Sequence, residues 1–311
     1  MKNTVKLVLS MFLFCVFSFA NAQGRNAAGV FKKGSSRTKH EGSVEFGPYL
    51  GAINYSGDLT NGFMPALNET GLAAGLAIKF NINTMWTFKT TALYGQISGN
   101  DANYSSDAFR NRRNLSFRSN MIEVSGQFEY NFRGYIQSSN MFSSTPYVFL
   151  GVSVFRHSPQ AFFEYDPAIH GPELEKFDGE WINLQPLATE GQEATKLNER
   201  KRYNLAQFSI PFGFGYKAAI NEQWAIAGEF GFRKTFTDYL DDVSEDYVDD
   251  QIVGGQSTSL AVALKDRAPE VGLPKFETGS ARGNPDNKDW YMIAGVTLTY
   301  RIITNKGCFH F

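Results

Sequence analysis

Two cysteines and four histidines in 311 residues leave little for metal or thiol chemistry. Cys15 falls in an N-terminal apolar run, between Phe14 and Val16, a poor match to a lipoprotein acylation site. Cys308 then stands alone, an ordinary free thiol or an intermolecular link, and no internal disulfide is possible. Zinc spacings, a phosphate-cradling glycine loop and a hydrolase elbow are all missing, so no metal or cofactor is expected. An excess of one charge is missing too: 30 Lys and Arg balance 31 Asp and Glu. Without a basic stripe, nucleic acid is not an expected partner. Past the N-terminus no apolar run reaches the roughly 18 residues of a spanning helix, which excludes a helical transporter. Mean hydropathy is −0.29. That value leaves a β-barrel open, because a barrel carries its membrane signal as alternation and has polar outer loops.

The chain opens with Lys2 and Lys6, an apolar run from Leu7 to Phe19, and the triplet Ala20, Asn21, Ala22. This is the layout of a secretory signal peptide, residues 1–22, cut before Gln23. Export leaves 28 basic against 31 acidic residues, a net charge of −3. Residues 23–43 carry Arg25, Lys32, Lys33, Arg37 and Lys39 among Gly and Ser without periodicity. They are expected to be a flexible periplasmic arm, a solvated tether or a basic dock for an acidic partner.

The strongest pattern runs from Tyr203 to Tyr239. Ala206, Phe208, Ile210, Phe212, Phe214 and Tyr216 alternate with Gln207, Ser209, Pro211, Gly213, Gly215 and Lys217. After a break at 219–223, Trp224, Ile226, Gly228, Phe230, Phe232 and Phe236 alternate with Ala225, Ala227, Glu229, Gly231, Arg233 and Thr235. A strand points successive side chains to opposite faces, so this is a hairpin with one greasy face. A soluble sandwich would crowd the other face with Lys, Glu and Thr. Here that face is mostly Gly, Ala, Ser and Gln with isolated charges, which suits a narrow transmembrane barrel whose large residues face lipid.

Six further strands are expected: Val44–Asp58, bent or bulged at Pro48; Gly71–Asn81; Trp86–Ser98; Asn114–Phe132; Pro146–Phe155, apolar throughout and so without assignable faces; and Asp289–Ile302. The fold class is therefore all-β, an eight-stranded antiparallel transmembrane β-barrel (OmpA-like) over residues 44–302, with a tail at 303–311. Connections after strands two and six are tight, and that after strand four is about a dozen residues. Those after strands one, three, five and seven run to about 12, 15, 45 and 50 residues, the last two without evident structure. Short turns belong in the periplasm and long loops outside. Trp86 and Trp224 each follow a tight turn and are expected at the inner lipid interface, with outer-membrane lipid as a partner.

Three clusters are candidates for function. Lys79, Lys89, Lys217, Arg233 and Arg301 should share the lumen with Glu123, Glu129 and Glu229, either as ion pairs that plug it or as a proton relay or enzyme site. Asp238, Asp241, Asp242, Glu245, Asp246, Asp249 and Asp250 form an acidic run that lacks the alternating ligands and the turn glycine of a calcium loop. It is expected to be a solvated or partner-facing outer loop. His157 beside Ser158 has no carboxylate orienter in sequence, so catalysis there is not expected.

Five phrases carry a family resemblance: YSGDL at Tyr55–Leu59, RNLSFRSN at Arg113–Asn120, LQPLATEGQ at Leu184–Gln192, RKTFTDYLDDVS at Arg233–Ser244 and RGNPDNKDWY at Arg282–Tyr291. Together they resemble the PorG-like outer-membrane barrels of the DUF6089 group, associated with the type IX secretion system. The resemblance implies a non-enzymatic barrel that contacts a periplasmic ring, formed by a lipoprotein and its partner, and helps cargo reach the surface. A small outer-membrane barrel with a structural or adhesive role is the alternative. The family supplies no catalytic residues.

Overall fold

The computed structural model describes residues 43–302, apart from 61–66, 105, 136, 139–140, 195–199 and 254–257. The expected signal peptide, nearly all of the arm at 23–43, and the tail with Cys308 lie outside the described residues. Eight long strands form the body: β1 Ser43–Ser56, β2 Gly71–Asn81, β3 Trp86–Asn100, β4 Ser116–Asn131, β5 Ser144–Arg156, β6 Ala206–Ala219, β7 Trp224–Thr235 and β8 Trp290–Ile302. Each pairs antiparallel with the next, and β8 pairs with β1 to close the cylinder. Closure leaves no free edge among these strands within the membrane span, as backbone in hydrocarbon requires.

Of the bend or bulge expected at Pro48, the bulge is not there. Register is constant through it on both sides, from Val44 opposite Ile302 to Ser56 opposite Trp290, and from Ser43 opposite Asn81 to Ile53 opposite Gly71. Proline removes one ladder donor without adding a residue, so the pairing passes through unshifted.

The two tight turns share a sequence, Ile-Asn-x-x-Trp, at 82–86 and 220–224. In each, the asparagine side chain caps the turn: Asn83 Oδ1 accepts from the Met85 and Trp86 amides at 2.8 and 2.9 Å, and Asn221 Oδ1 from Gln223 and Trp224 at 2.9 and 2.8 Å. These turns aim both indoles outward at the same end of the barrel. Trp86 stacks edge-on to Tyr130 and Trp224 to Tyr300, and Phe132 and Phe46 extend the two clusters. That is an aromatic girdle at the periplasmic rim.

Outward-facing residues are apolar and exposed, among them Leu50, Leu72, Leu76, Ile122, Phe128, Leu150, Phe208 and Phe214. The structure assigns the faces of β5: Val148, Leu150, Val152 and Val154 point out, while Tyr147, Phe149, Ser153 and Phe155 point in. Glycines face these inward rings. A Cβ on Gly213 would lie 2.2 Å from the Phe230 carbonyl oxygen and 2.8 Å from Phe149, and one on Gly295 would lie 2.5 Å from the Tyr49 ring.

The long outer loops are not structureless. Residues 157–205 form L3, which contains the paired short strands Pro159–Phe162 and Trp181–Asn183. Residues 236–289 form L4, with helix Thr258–Lys265. Phe163, Leu174, Leu187, Leu260 and Leu264 pack into a core shared between them. Apolar residues spaced through both segments explain why they fold.

Because Leu150 lies mid-strand in the exposed belt, Leu150→Arg should cost about 2–4 kcal/mol in vesicle unfolding titrations, while Ile82→Arg at the rim should cost about 0–1 kcal/mol. Equal costs would show that Leu150 is not in hydrocarbon.

Candidate functional site

Inside the barrel, the charges sit in layers. Nearest the periplasm, Glu45 accepts from Asn81 Nδ2 at 2.5 Å and from Thr299 Oγ1 at 2.7 Å. Above it, Glu129 meets three ammonium groups: Lys217 at 2.7 Å, Lys89 at 3.4 Å and Lys79 at 3.8 Å. Lys89 also donates to Glu229 at 2.5 Å, which takes a second hydrogen bond from Tyr147 at 2.9 Å. Highest is Glu123, 3.4 Å from Arg233 and accepting from the Tyr291 hydroxyl at 2.5 Å. All of these side chains are buried. Four cations and four carboxylates thus share the lumen, including Glu45, which the alternation pattern had not singled out and which is held by Asn81 and Thr299 instead of a cation. Removing such charges from water is costly, and ion pairing together with these hydrogen bonds offsets it.

Arg301 departs from expectation. It is half-buried at the inner mouth, and its Nη1 donates to the backbone carbonyl of Gln137 instead of a carboxylate. It therefore belongs to the rim, where the β4–β5 connection folds under the barrel.

Among the described residues the Glu123–Arg233 pair is the outermost ion pair of the lumen, level with Leu93 and Phe155. With Ile53, Ile97, Phe117, Met121 and Ile293 these two form an apolar cluster that fills the outer part, and Leu240 and Val243 insert from L4 as a plug. This corrects the expected solvated acidic run. Asp238, Asp241 and Asp242 are buried beside that plug, whereas Glu245, Asp246, Asp249 and Asp250 reach the surface. Leu240 and Val243 are the reason, since burying them draws the neighbouring acids inward with the backbone.

Those acids are partnered. Tyr55 donates to Asp241 at 2.5 Å and to Asp289 at 3.1 Å, and Asp289 accepts the Leu240 amide at 2.9 Å. Asp242, in a left-handed conformation at φ 68°, accepts from Thr189 at 2.5 Å and Tyr203 at 2.6 Å. Arg282 donates to Glu190 at 2.9 Å and to the Asp242 carbonyl at 2.5 Å. Arg113 grips Asp101 through two bonds of 2.8 and 2.7 Å, and also holds the carbonyls of Arg282 at 2.8 Å and Asp58 at 2.9 Å. Two buried guanidinium groups therefore tie all four outer connections into one cap. Glu190, Arg282, Arg113 and Asp289 all lie within the five phrases quoted above, yet none was picked out as a site residue. Apolar residues interrupting the acidic run were the available signal.

His157 is buried at the outer end of β5, stacked on Tyr203 at 6.1 Å, which in turn stacks on Tyr239 at 4.7 Å. Burial pushes its imidazole down to about 4, so it is neutral at pH 7. Among the described residues neither ring nitrogen has a hydrogen-bond partner, and Ser158 Oγ donates to Asn183 at 3.3 Å. The two are not joined as nucleophile and base.

A closed even-numbered cylinder with an apolar outer belt, short turns at one end and long loops at the other is decisive. The chain is an outer-membrane β-barrel. The family described as a domain of unknown function (DUF6089) matches residues 35–169, which span β1 to β5. Solved structures similar to it include Ail, the attachment invasion locus protein of Yersinia pestis (8% identity, 84% of this chain and 98% of that one, TM-score 0.36). Neisserial surface protein A is similar at 8% identity, 84% and 97% coverage and TM-score 0.36. OprG of Pseudomonas aeruginosa is similar at 9% identity, 85% and 96% coverage and TM-score 0.36. No curated protein matches the sequence.

Two outcomes follow. Glu129→Gln removes the negative charge shared by three buried lysines and should cost about 3–5 kcal/mol by unfolding titration in vesicles. Adding Lys217→Met should restore part of it; a neutral single variant would mean the lumen is wet. The cap should loosen as pH rises. Burial raises Asp242 to about 6, against the pull of Arg282, and raises Asp238 to about 6. Asp241 and Asp289 are also raised, by burial first and then by neighbouring carboxylates. The closed cap therefore binds more protons than an open one, and its stability is full below about 4 and falls as pH rises through about 6. Hydrogen exchange at L4, corrected for intrinsic rate, should be faster at pH 8 than at pH 5, with Asp241→Asn flattening the difference. Equal protection at both pH values would remove the acid cluster as a determinant of closure.

Proposed function

We propose that this barrel is a non-enzymatic component of a protein-secretion machine of the type IX class, seated in the outer membrane with its turns toward a periplasmic ring of a lipoprotein and its partner. The observation that carries the mechanical part of this reading is the filled and capped lumen: ion pairs below and an apolar plug above leave no passage for a polypeptide. Its contribution would be attachment and not conduction. Assignment to that machine is supported by the DUF6089 match over residues 35–169 and by the five phrases. The surfaces available to a ring are the turns at 82–85 and 220–223 and the described part of the β4–β5 connection, where Gln137 binds both Arg301 and the Asn221 carbonyl.

A surface-binding role is the second reading, supported by the ordered cap with Trp181, Ile169, Val271 and Leu273 exposed on it. Pull-down of the native protein in mild detergent separates the two. Recovery of the ring lipoprotein and its partner, reduced several-fold by replacing residues 220–223 with Gly and Ser, is the expected result. Recovery of neither would remove the secretion reading.

A further inference from the structure

Along the outward face of β4 the apolar row Phe128, Val124, Ile122 gives way to Asn120 and then Arg118, and on β5 Val154 is followed by Arg156, directly opposite Ile122. Measured from Tyr130 in the periplasmic girdle, Arg118 is 12 residues along β4, about 40 Å at ~3.3 Å per residue and ~30 Å along the axis for strands tilted by about 40°, just beyond an apolar band about 25 Å tall. Arg156, level with Ile122, lies ~20 Å from the girdle near the outer edge of that band, from which its long side chain can extend toward the headgroups.

Arg118 is held rigidly there. The sheet continues sideways above the belt, with Pro159–Phe162 pairing to β4 and Trp181–Asn183 pairing to that strand in turn. Arg118 Nε donates to Gln160 Oε1 at 3.1 Å, Gln160 donates to Asn183 at 2.9 Å, and the guanidinium lies 3.7 Å from the Trp181 ring centroid. Its two Nη groups have no hydrogen-bond partner among the described residues, and the exposed Arg156 has none at all among them. No carboxylate shares this outward row. A guanidinium fixed by its Nε edge and one face presents its remaining N–H fork, the geometry that grips a phosphate through two bonds.

We propose that the outward face of β4 and β5, with the adjoining Trp181 strand, binds a phosphorylated glycolipid of the outer leaflet, its phosphates on Arg118 and Arg156 and its acyl chains on Ile122 and Val154. The site is continuous with the lipid-facing belt and opposite in charge to this headgroup, which is why a lipid is chosen over a soluble partner. It stands apart from the secretion reading.

The test uses the full chain, purified from its own outer membrane in mild detergent and reloaded with a diphosphorylated glycolipid or the same lipid after enzymatic dephosphorylation. Bound lipid is counted by native mass spectrometry. Wild type should retain the phosphorylated form. Arg118→Gln with Arg156→Gln should lower retention at least tenfold, while Lys234→Gln, an outward cation on β7, should leave it unchanged; heat-dependent gel migration confirms that each variant is folded. Equal retention of the dephosphorylated lipid, undiminished retention in the double variant, or an equal loss in Lys234→Gln would overturn the site. Displacement of the lipid by inorganic phosphate at equal concentration would assign it to small anions and overturn the lipid.

Discussion

Eight strands close around a space only wide enough for side chains, and the rest of the structure answers to that width. Whatever points inward must be packed against something and, if charged, neutralised. Phe149 fits because Gly213 and Gly231 face it, and Tyr49 fits because Gly51 and Gly295 do. Glu129 is tolerated because three lysines surround it, and Glu229 because Lys89 and Tyr147 share it. The small residues that give the strands their odd alternation are the clearance for rings on their own and neighbouring strands.

The lumen divides into two media. Its periplasmic half is an ion-pair lattice with matched charge, and its outer half is an apolar core closed by Leu240 and Val243. Each seals in its own way: the lattice because removing one partner strands a buried charge, the core because its residues are close-packed. Above them, the hydrophobic contacts of L3 and L4 bring aspartates into a dry setting, where Arg113, Arg282, Tyr55 and Tyr203 hold them. A barrel so filled is a rigid post in the membrane, suited to presenting its two rims and its outer wall.

Much of this was legible in residue order. The alternation around Phe212 and Phe230 identified the hairpin and its lipid face, and the eight strands fell within a few residues of their observed ends. Lys79, Lys89, Glu123, Glu129, Lys217, Glu229 and Arg233 meet in the lumen as their parity implied. Arg301 shares that parity but sits too near the mouth, where a backbone carbonyl reaches it first. The faces of β5 were not legible, because valine and phenylalanine alternate there with equal hydropathy and only the partner strands decide which is lipid-facing. Asp238, Asp241 and Asp242, expected in a solvated or partner-facing loop, are buried, since a run of acids looks the same whether or not the leucine and valine among them are buried.

The sequence by itself determined which side chains share a face, because a strand's two-residue period is a local property of the backbone. From that came the barrel, its membrane belt, its orientation and the identity of most lumen charges. Only the tertiary structure decided which charge meets which, that the outer half is apolar, and that L4 folds down to close it. Those outcomes depend on residues as far apart as Tyr55 and Asp289 arriving at one place, and no periodicity along the chain encodes a distance across a cylinder.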